Sequence, residues 1–251
     1  PTPPIPIREP EKFPPSKKIC RIRVRFAKTD HMALLSHLDI LRLIERALRR
    51  SELPVSFTGG FHPLPRIQIA LALPLGVQGC GELMDIDFTE KLDAQTMLQK
   101  LQSKLPNGIT LISAECIPTN GLSLSQSLEA ATWSFNLIEN SNQISSKIEW
   151  QQGVQSLLNA NQLIWRDKDK KGKPRERDCR PVLRSLQLQI ESDNKSKVPP
   201  LGKVRLELEA LIDPVGRSLK PQQVQHWLEE YFGHRLKISD IRRDELRLFQ
   251  C

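Results

Sequence analysis

Apolar and polar residues alternate strictly over the segment CRIRVRF, residues 20–26. Side chains that alternate with a period of two lie on opposite faces of a β-strand, so this pattern predicts a strand with one buried face. The buried face carries a cysteine, an isoleucine, a valine and a phenylalanine, and the other face carries Arg21, Arg23 and Arg25. The sequence therefore predicts a strand whose second face is entirely cationic.

A helical period of apolar residues follows, from about residue 34 to residue 50. Its predicted buried stripe consists of Leu34, Leu38, Leu41, Ile44 and Leu48. Strands are predicted in residues 65–76, 82–88 and 109–117, and a second helix in residues 93–105 with Asp93 as its N-terminal cap. The order βαββαβ is that of a ferredoxin-like unit, in which both helices cover one face of a four-stranded sheet and the other face stays open.

The rest of the chain shows a similar but less regular order of predicted strands and helices. Strands are predicted in residues 132–138, 163–169, 179–190, 204–212 and 236–248, and helices in residues 144–158 and 219–233. We therefore expect an α+β fold of two tandem ferredoxin-like (βαββαβ) units with antiparallel sheets. The expected domains are a proline-rich linker (1–18), a first unit (19–118), a second linker (119–131) and a second unit (132–251).

The composition changes this picture mainly through its charge. The 251 residues carry a formal net charge of +8 and a pI of about 9.4, which favours an anionic partner such as RNA. Aromatic residues make up only 5% of the chain, so recognition of shape and backbone is favoured over base stacking. No apolar run is long enough to predict a membrane span, and five scattered cysteines without CxxC spacing predict neither disulfides nor zinc. We expect a cytoplasmic protein.

Arginines recur along the predicted first helix at positions i, i+4, i+7 and i+8. They are Arg42, Arg46, Arg49 and Arg50. The planar guanidinium group donates two parallel hydrogen bonds to a phosphate, so this stripe is a candidate RNA-binding or partner-binding site. The alternative is a solvated helix face on which Asp39 and Glu45 are local partners.

The loop FTGGFHPLPR, residues 57–66, follows that helix. Gly59 and Gly60 permit a positive φ and close approach of a ligand to the backbone. Phe61 could stack on a base or fill the core, and His62 could act as an acid or base, bind phosphate or be structural. Neither a Walker loop nor a GxGxxG motif is present. We expect this loop, with Arg66 at its end, to hold RNA, and His62 is the one catalytic candidate in the sequence.

A third cationic segment spans residues 166–184, with nine Lys or Arg residues against four Asp or Glu residues. It predicts an arm that follows a phosphate backbone and becomes ordered on contact, although a solvated loop would have the same composition. The candidate binding residues in it are Lys170, Lys171, Lys173, Arg175, Arg177 and Arg180.

Asp85 and Asp87 lie two residues apart on a predicted strand, so both side chains point to the same face. Such a pair could serve acid–base catalysis or bind a metal. The more common role is to neutralise arginines on a neighbouring strand, and we favour that interpretation.

Several of these motifs together resemble the radical SAM-linked domain family, long regarded as a domain of unknown function. The resemblance rests on the SHLD…R…ERALRR…LP helix, the GFHPxPR loop and the LPLG…E…DI strand pair, within about residues 19–90. Beyond about residue 130 it is loose and rests mainly on GKPRERDCRP.

Members of that family occur alone or fused behind a radical SAM enzyme with a cobalamin-binding region, and are commonly encoded near a ribonuclease and ribosomal proteins. The resemblance implies an accessory role, and the proline-rich start resembles the joint of such a fusion. The cluster-binding CxxxCxxC motif is absent from this sequence. We therefore expect no cofactor in this chain, with the iron–sulfur cluster, SAM and any cobalamin bound by a fused or separate radical SAM partner.

These observations lead to three hypotheses. The leading one is a non-catalytic RNA-binding or substrate-presenting module for a radical SAM enzyme, in RNA or ribosome-related modification. In it Arg21, Arg23 and Arg25 line the open face of the sheet as RNA-binding or partner-binding residues. The second is a metal-independent RNA endonuclease that uses His62. The third is a scaffold whose cationic faces dock onto the radical SAM core protein.

Overall fold

A computed structural model describes residues 12–139, 144–168, 171–189, 203–213 and 216–249. The first half contains β1 (Cys20–Lys28), α1 (His37–Arg50), β2 (Ile67–Ile69), β3 (Gln78–Phe88), α2 (Ala94–Gln102) and β4 (Ile109–Ile117). The second half contains β5 (Leu128–Glu139), α3 (Lys147–Asn159), β6 (Ile164–Lys168), β7 (Pro174–Asp178), β8 (Leu183–Gln189), β9 (Lys203–Leu211), α4 (Pro221–Phe232) and β10 (Leu236–Leu248). Across these described ranges the fold is mixed α+β, with four α-helices and a large, mostly antiparallel sheet.

One eight-stranded sheet runs through both halves in the order β4-β1-β3-β10-β5-β9-β8, and β2 also pairs with β3. Its neighbours are antiparallel except at the junction of the halves, where β3 and β10 pair in parallel through Gln78 with Arg242 and Gly79 with Arg243. The sequence predicts two separate antiparallel sheets. They are joined because β3 begins at Gln78, before the predicted residues 82–88, and its added residues pair with β10.

The first half buries its apolar residues between the sheet and its two helices. Ile22 and Val24 of β1 are fully buried, in one cluster with Ile44 of α1 and Met97 of α2. The alternate residues of β1 consequently point to the opposite face of the sheet. A second hydrophobic cluster fills the other half, where β5, β8 and β9 pack against α3 and α4.

Helix α1 begins later than its hydrophobic pattern predicts. Ser36 caps it, because its hydroxyl accepts a hydrogen bond from the Asp39 amide while the Asp39 carboxylate accepts one from the Ser36 amide. Leu34 therefore precedes the helix and is 67% exposed, and Leu38 is 61% exposed, so their predicted burial is wrong. The residues that α1 buries are Ile40, Ile44, Ala47 and Leu48.

Three further segments differ from the prediction. The strand predicted in residues 65–76 is regular only over Ile67–Ile69. The charged loop predicted after β6 instead forms β7, which pairs with β6. Residues 119–131, predicted as a linker, contribute Leu124 and Leu128 to the second core.

The proline-rich segment can be followed only from residue 12, since residues 1–11 lie outside the described part of the chain. In this part Phe13 and Ser16 form main-chain hydrogen bonds to the first half. No helix in the described ranges is both long and apolar enough to cross a lipid bilayer.

Candidate nucleic-acid interface

Three cations line a surface groove between the C-terminal ends of α1 and α2. This α1–α2 groove has a volume of ≈ 500 Å³. It is lined by Leu43, Arg46, Arg50, Ser103, Lys104, Leu105 and Pro106. Because its lining includes three positive side chains and no carboxylate, the groove is suited to an anion.

The arginines of α1 reach this surface because they lie away from the buried stripe of the helix. Arg42, Arg46, Arg49 and Arg50 are all exposed. Arg46 donates from Nε to the Arg42 carbonyl (3.2 Å), and Arg50 donates to the Lys104 carbonyl (2.7 Å), which fixes it at the groove. Of these arginines only Arg49 forms an ion pair within the described ranges, with Glu45 at 2.9 Å.

Asp39, three residues before Arg42, forms hydrogen bonds at the N-terminus of the helix. The hydrogen bonds from the Ser36 hydroxyl and amide lower the pKa of Asp39, with smaller contributions from Arg42 and Arg46. Of the two local partners named in the alternative of a solvated helix face, Glu45 pairs with Arg49, whereas Asp39 forms no ion pair with an arginine within the described ranges.

The loop at residues 57–66 adjoins this arginine surface. The Arg49 guanidinium lies over the Phe57 ring, 5.5 Å from its centroid. The C-terminal end of α1 and the glycine-containing loop, which follow each other in the sequence, therefore also lie next to each other in the structure.

The two glycines of the loop contact the N-terminal segment of the chain. Phe13 and Gly60 exchange two main-chain hydrogen bonds, of 3.1 and 2.9 Å. A Cβ atom on Gly59 would lie 2.9 Å from Pro15 Cδ, and Gly60 has a φ of +109°. The close backbone approach that glycine permits is therefore used by the chain's own residues 13–15.

Phe61 and His62 lie at the exposed tip of this loop. Phe61 is 45% exposed, so it does not fill the core, and the Lys12 ammonium lies 5.1 Å from its ring centroid. His62 is exposed, and among the described residues none forms a hydrogen bond with it. The endonuclease hypothesis therefore gains no orienting partner for His62 from this geometry.

Two arginines of β1 are already engaged with carboxylates. Arg21 contacts Asp87 through two hydrogen bonds of 2.6 and 3.1 Å, and Arg23 contacts Asp85 through two of 2.8 and 2.9 Å. The arginine side chains are only 13% and 11% exposed, and the bond to Asp87 raises the pKa of Arg21. This arrangement agrees with the favoured interpretation of the aspartate pair, and it separates both arginines from the α1 surface on the opposite face of the sheet.

The remaining cations of this region differ in their contacts. Arg25 donates to the carbonyls of Gly81 and Leu246 (both 3.3 Å) and pairs with Glu245 at 3.4 Å, so it connects the two halves. Arg66 lies opposite Asp87, whose amide donates to the Arg66 carbonyl. It forms no ion pair within the described ranges, and its Nε atom is buried without a hydrogen-bond partner there.

Most of the third cationic segment belongs to the β6–β7 hairpin, described over residues 164–168 and 171–178, rather than to a loop. Arg166 pairs with Glu176, and Arg175 with Asp167, at 2.6 and 2.7 Å across the two strands. Lys171 and Lys173 are exposed near its turn, and Lys170 lies outside the described residues. Charged pairs directly opposite each other stabilise a two-stranded ribbon, which the composition alone does not reveal.

The last two candidates in this segment, Arg177 and Arg180, differ in their contacts. Arg180 donates to the carbonyls of Leu158 (2.6 Å), Ala160 (3.1 Å) and Leu183 (3.1 Å), so it caps the C-terminal end of α3. Arg177 is half-buried, and its Nε has no hydrogen-bond partner in the described chain. Arg180 is therefore occupied within the fold.

Sequence reasoning missed Lys104, since it lies alone after α2 and reaches the groove only through the packing of α2 beside α1. It also missed the aromatic residues of β6 and α4, because the low aromatic content of the whole chain conceals their convergence. Within the described ranges no cluster of three His, Cys, Asp or Glu side chains could hold a metal ion.

Fold and surface together define an α+β protein with a largely antiparallel sheet and a basic groove on one helical layer. Residues 21–229 match the family described as "Uncharacterized protein conserved in bacteria (DUF2344)", and the chain belongs to this family. No curated protein matches the sequence. The crystal structure of a Cbf5-Nop10-Gar1 complex contains a chain similar to this one, with 10% sequence identity and a TM-score of 0.49. The match covers 91% of this chain and 49% of the other, so this chain spans about half of that chain's length.

Proposed function

We propose that this chain is an RNA-binding module that acts beside a radical SAM enzyme and has no catalytic residues of its own. The supporting observation is the α1–α2 groove, where Arg46, Arg50 and Lys104 line one concave surface without a carboxylate. Arginine binds phosphate through a planar pair of donors, and such contacts position a nucleic acid without reading its bases. The RNA backbone would cross the exposed arginines of α1 and enter the groove.

The radical SAM partner is part of the proposal and rests on the family resemblance of residues 19–90. The partner would hold the iron–sulfur cluster and SAM, and any cobalamin. This chain would hold the RNA so that the reacting nucleotide reaches the partner's active site. The Leu and Pro side chains beside the cations would contact sugar and base surfaces of a single strand.

We also infer that the two halves are tandem ferredoxin-like units. The first half orders its strands β4-β1-β3-β2, and the second half β10-β5-β9-β8. In both, the first and third strands are central, and one helix follows the first strand while another precedes the last. The β6–β7 hairpin would then be an insertion between α3 and β8.

The salt dependence of RNA binding tests the proposal. We expect the affinity for a labelled single-stranded RNA to fall between about 50 and 200 mM salt, with a log–log slope near −4 if about six phosphates are engaged. The triple variant Arg46→Ala, Arg50→Ala, Lys104→Ala should bind more weakly. Its slope should be shallower by about 2, since each phosphate contact to a single strand contributes about 0.7.

A matched variant distinguishes RNA binding at the groove from a general effect of positive charge. Lys91→Ala, Lys147→Ala, Lys237→Ala removes the same charge from exposed positions outside the groove. It should retain the slope of the unmodified protein. A flat salt dependence, or equal losses in both triple variants, would contradict the proposed groove.

A second candidate function, docking onto the radical SAM core protein, is favoured by a different observation. Leu34, Leu38 and Leu75 are 67%, 61% and 67% exposed. The Gly76 amide donates to the Ala33 carbonyl (2.9 Å), which holds Leu75 in the neighbourhood of Leu34. Contiguous exposed apolar side chains mark protein-binding surfaces.

Co-purification with the separately produced core protein tests this candidate. Docking predicts that capture survives nuclease treatment and is lost in Leu34→Ser, Leu75→Ser. Capture that depends on intact RNA would instead favour an RNA-mediated association.

A further inference from the structure

An aromatic cleft of ≈ 570 Å³ lies between α3, α4 and β6 in the second half. Its lining includes four residues with rings: Trp165, His226, Trp227 and Tyr231. Polar side chains that can form hydrogen bonds complete it: Ser156, Gln162, Arg166 and Glu230. Ligand sites are commonly clefts of roughly 300–1,000 Å³ that combine aromatic walls with a few polar groups, so this cleft has the size and lining of a binding site.

The rings of the cleft are held in fixed positions. Trp227 is 5% exposed, and its indole N–H donates to the Ile164 carbonyl at 3.3 Å. Trp165 packs edge-on against the rings of Trp227 and His226, with centroid distances of 6.4 and 5.4 Å. Trp165 itself is half-buried and Tyr231 is 44% exposed, so ring surface remains accessible above a rigid floor.

The one carboxylate in the lining, Glu230, lies 3.3 Å from His226 Nε2, and the charge of the neighbouring hairpin indicates which ligand the cleft suits. The described residues of the β6–β7 hairpin carry six Lys or Arg against three Asp or Glu. Two of these carboxylates pair with Arg166 and Arg175, and the third, Asp178, accepts hydrogen bonds from the amides of Leu163 and Arg180. The excess positive charge therefore lies on the same ribbon that supplies Trp165.

We infer that this cleft binds an unpaired base of an RNA strand whose phosphates follow the β6–β7 hairpin. This inference rests on the proposed function, and it adds a base-stacking site in the second half to the backbone-binding groove proposed in the first half. A nucleotide joins a planar ring to an anion, which matches aromatic residues beside a cationic ribbon. Stacking on aromatic side chains accepts any base, since every base presents a π-face.

A pair of oligonucleotides tests the inference directly. One is a single-stranded RNA of about ten nucleotides, within the usual site size of single-strand binders, and the other has the same length but abasic residues in its middle. Both present the same phosphates. The unmodified protein should bind the base-bearing strand roughly 5- to 150-fold more tightly, as expected for one stacked base.

Two substitutions at one position provide the matched variants. Trp165→Ala should bind both strands with equal affinity, at the level that the unmodified protein shows for the abasic strand. Trp165→Phe keeps a ring and should retain most of the preference. Circular dichroism and thermal unfolding of both variants establish that the fold is intact, and Tyr231→Ala provides a second, independent loss of ring surface.

Tryptophan fluorescence gives a separate readout. Trp133, Trp150 and Trp227 are at most 5% exposed, whereas Trp165 is half-buried. Bound base-bearing RNA should therefore quench the emission of the unmodified protein, and Trp165→Phe should lose this quenching.

The outcomes separate this inference from the proposed function. Equal binding of the two strands by the unmodified protein would overturn the base site and leave RNA binding standing, whereas binding of neither strand would overturn both. If a mononucleotide such as uridine monophosphate quenches Trp165 while Trp165→Ala leaves strand binding unchanged, the cleft takes a free nucleotide. That result would overturn the assignment to RNA.

Discussion

Arg243 of β10 and Glu82 of β3 form a buried ion pair where the two halves of the sheet meet. Their side chains are 1% and 3% exposed, and Arg243 Nε donates to Glu82 Oε1 at 2.8 Å. Arg243 also donates to the Leu71 carbonyl and lies over the Trp133 ring, 5.3 Å from its centroid. Since β3 and β10 share only two register pairs, these side-chain contacts stabilise the junction.

We expect Glu82→Gln to destabilise the whole chain. Removal of one charge from a buried ion pair leaves the other uncompensated, which costs about 3–5 kcal/mol. The free energy of unfolding in urea measures this. Glu245→Gln is the matched control, because Glu245 is 55% exposed and its loss should cost less than about 1 kcal/mol. Equal effects of the two substitutions would show that the Arg243–Glu82 pair does not stabilise the junction.

The β1 arginines should contribute to stability and not to RNA affinity. Arg23→Ala leaves the carboxylate of Asp85, which is 3% exposed, without its partner, and should cost about 3 kcal/mol. Arg23→Met, Asp85→Leu should recover most of that loss, because neither charge is then left alone. RNA affinity at constant salt should stay within about twofold of the unmodified protein, since no phosphate contact is removed. If Arg23→Ala lowers the affinity for RNA as much as Arg46→Ala does, Arg23 belongs to the RNA-binding surface.

Arg180 should likewise act as a cap of α3. Arg180→Met leaves three main-chain carbonyls without this donor, and we expect a loss of about 1–3 kcal/mol in unfolding free energy. The salt slope of RNA binding should remain unchanged, because each of the three guanidinium nitrogens of Arg180 already donates to a main-chain carbonyl. If the slope becomes shallower while stability is retained, Arg180 contacts phosphate after all.

The sequence predicts the regular elements well where their periodicity is strong. The alternation in residues 20–26 identifies β1, and Asp93 does cap α2, since its carboxylate accepts a hydrogen bond from the Thr96 amide at 2.8 Å. The α1 arginines also reach the surface as their spacing indicates. These features depend on neighbours close in the chain, so a local pattern suffices to predict them.

Features that depend on distant partners could not be predicted in the same way. The sequence favours Asp85 and Asp87 as partners of arginines on a neighbouring strand, but it does not show that these arginines are Arg21 and Arg23, more than sixty residues away. The glycines at 59 and 60 contact residues 13–15, and the aromatic cleft gathers rings from β6 and α4. Net charge and composition do not reveal which side chains meet: Arg21 and Arg23 of β1 pair with carboxylates, whereas Arg46 and Arg50 of α1 form no ion pair within the described ranges.

Gly59→Ala should release the N-terminal segment from the loop. The added Cβ would lie 2.9 Å from Pro15 Cδ and 3.1 Å from the Phe13 carbonyl oxygen, so one of the two segments must shift. We expect the amides of Phe13 and Gly60 to exchange hydrogen for deuterium at least about tenfold faster, which corresponds to about 1.4 kcal/mol of local stability. The α1–α2 groove should bind RNA unchanged. Unaltered exchange at both amides would contradict the contact between these segments.

Lys28 should give the chain a distinctive pH dependence at alkaline pH. The residue is 3% exposed, and its ammonium donates to the carbonyls of Ala33 and Leu35. Burial lowers the pKa of Lys28 below its ordinary value of 10.5, while nearby Glu82 acts in the opposite direction and Arg243 adds to the decrease. Between the two values the unfolded chain therefore binds more protons at this position than the folded chain does.

The contribution of Lys28 to the free energy of unfolding should consequently increase as pH is raised toward 10.5. We expect the unfolding free energy of the unmodified protein to increase relative to Lys28→Met as pH is raised from about 7. Because the substitution also removes two hydrogen bonds, the comparison concerns the slope against pH and not the absolute stability. The exposed control Lys91→Met should follow the unmodified protein. Parallel curves for the unmodified protein and Lys28→Met would show that Lys28 keeps an ordinary pKa in the folded state.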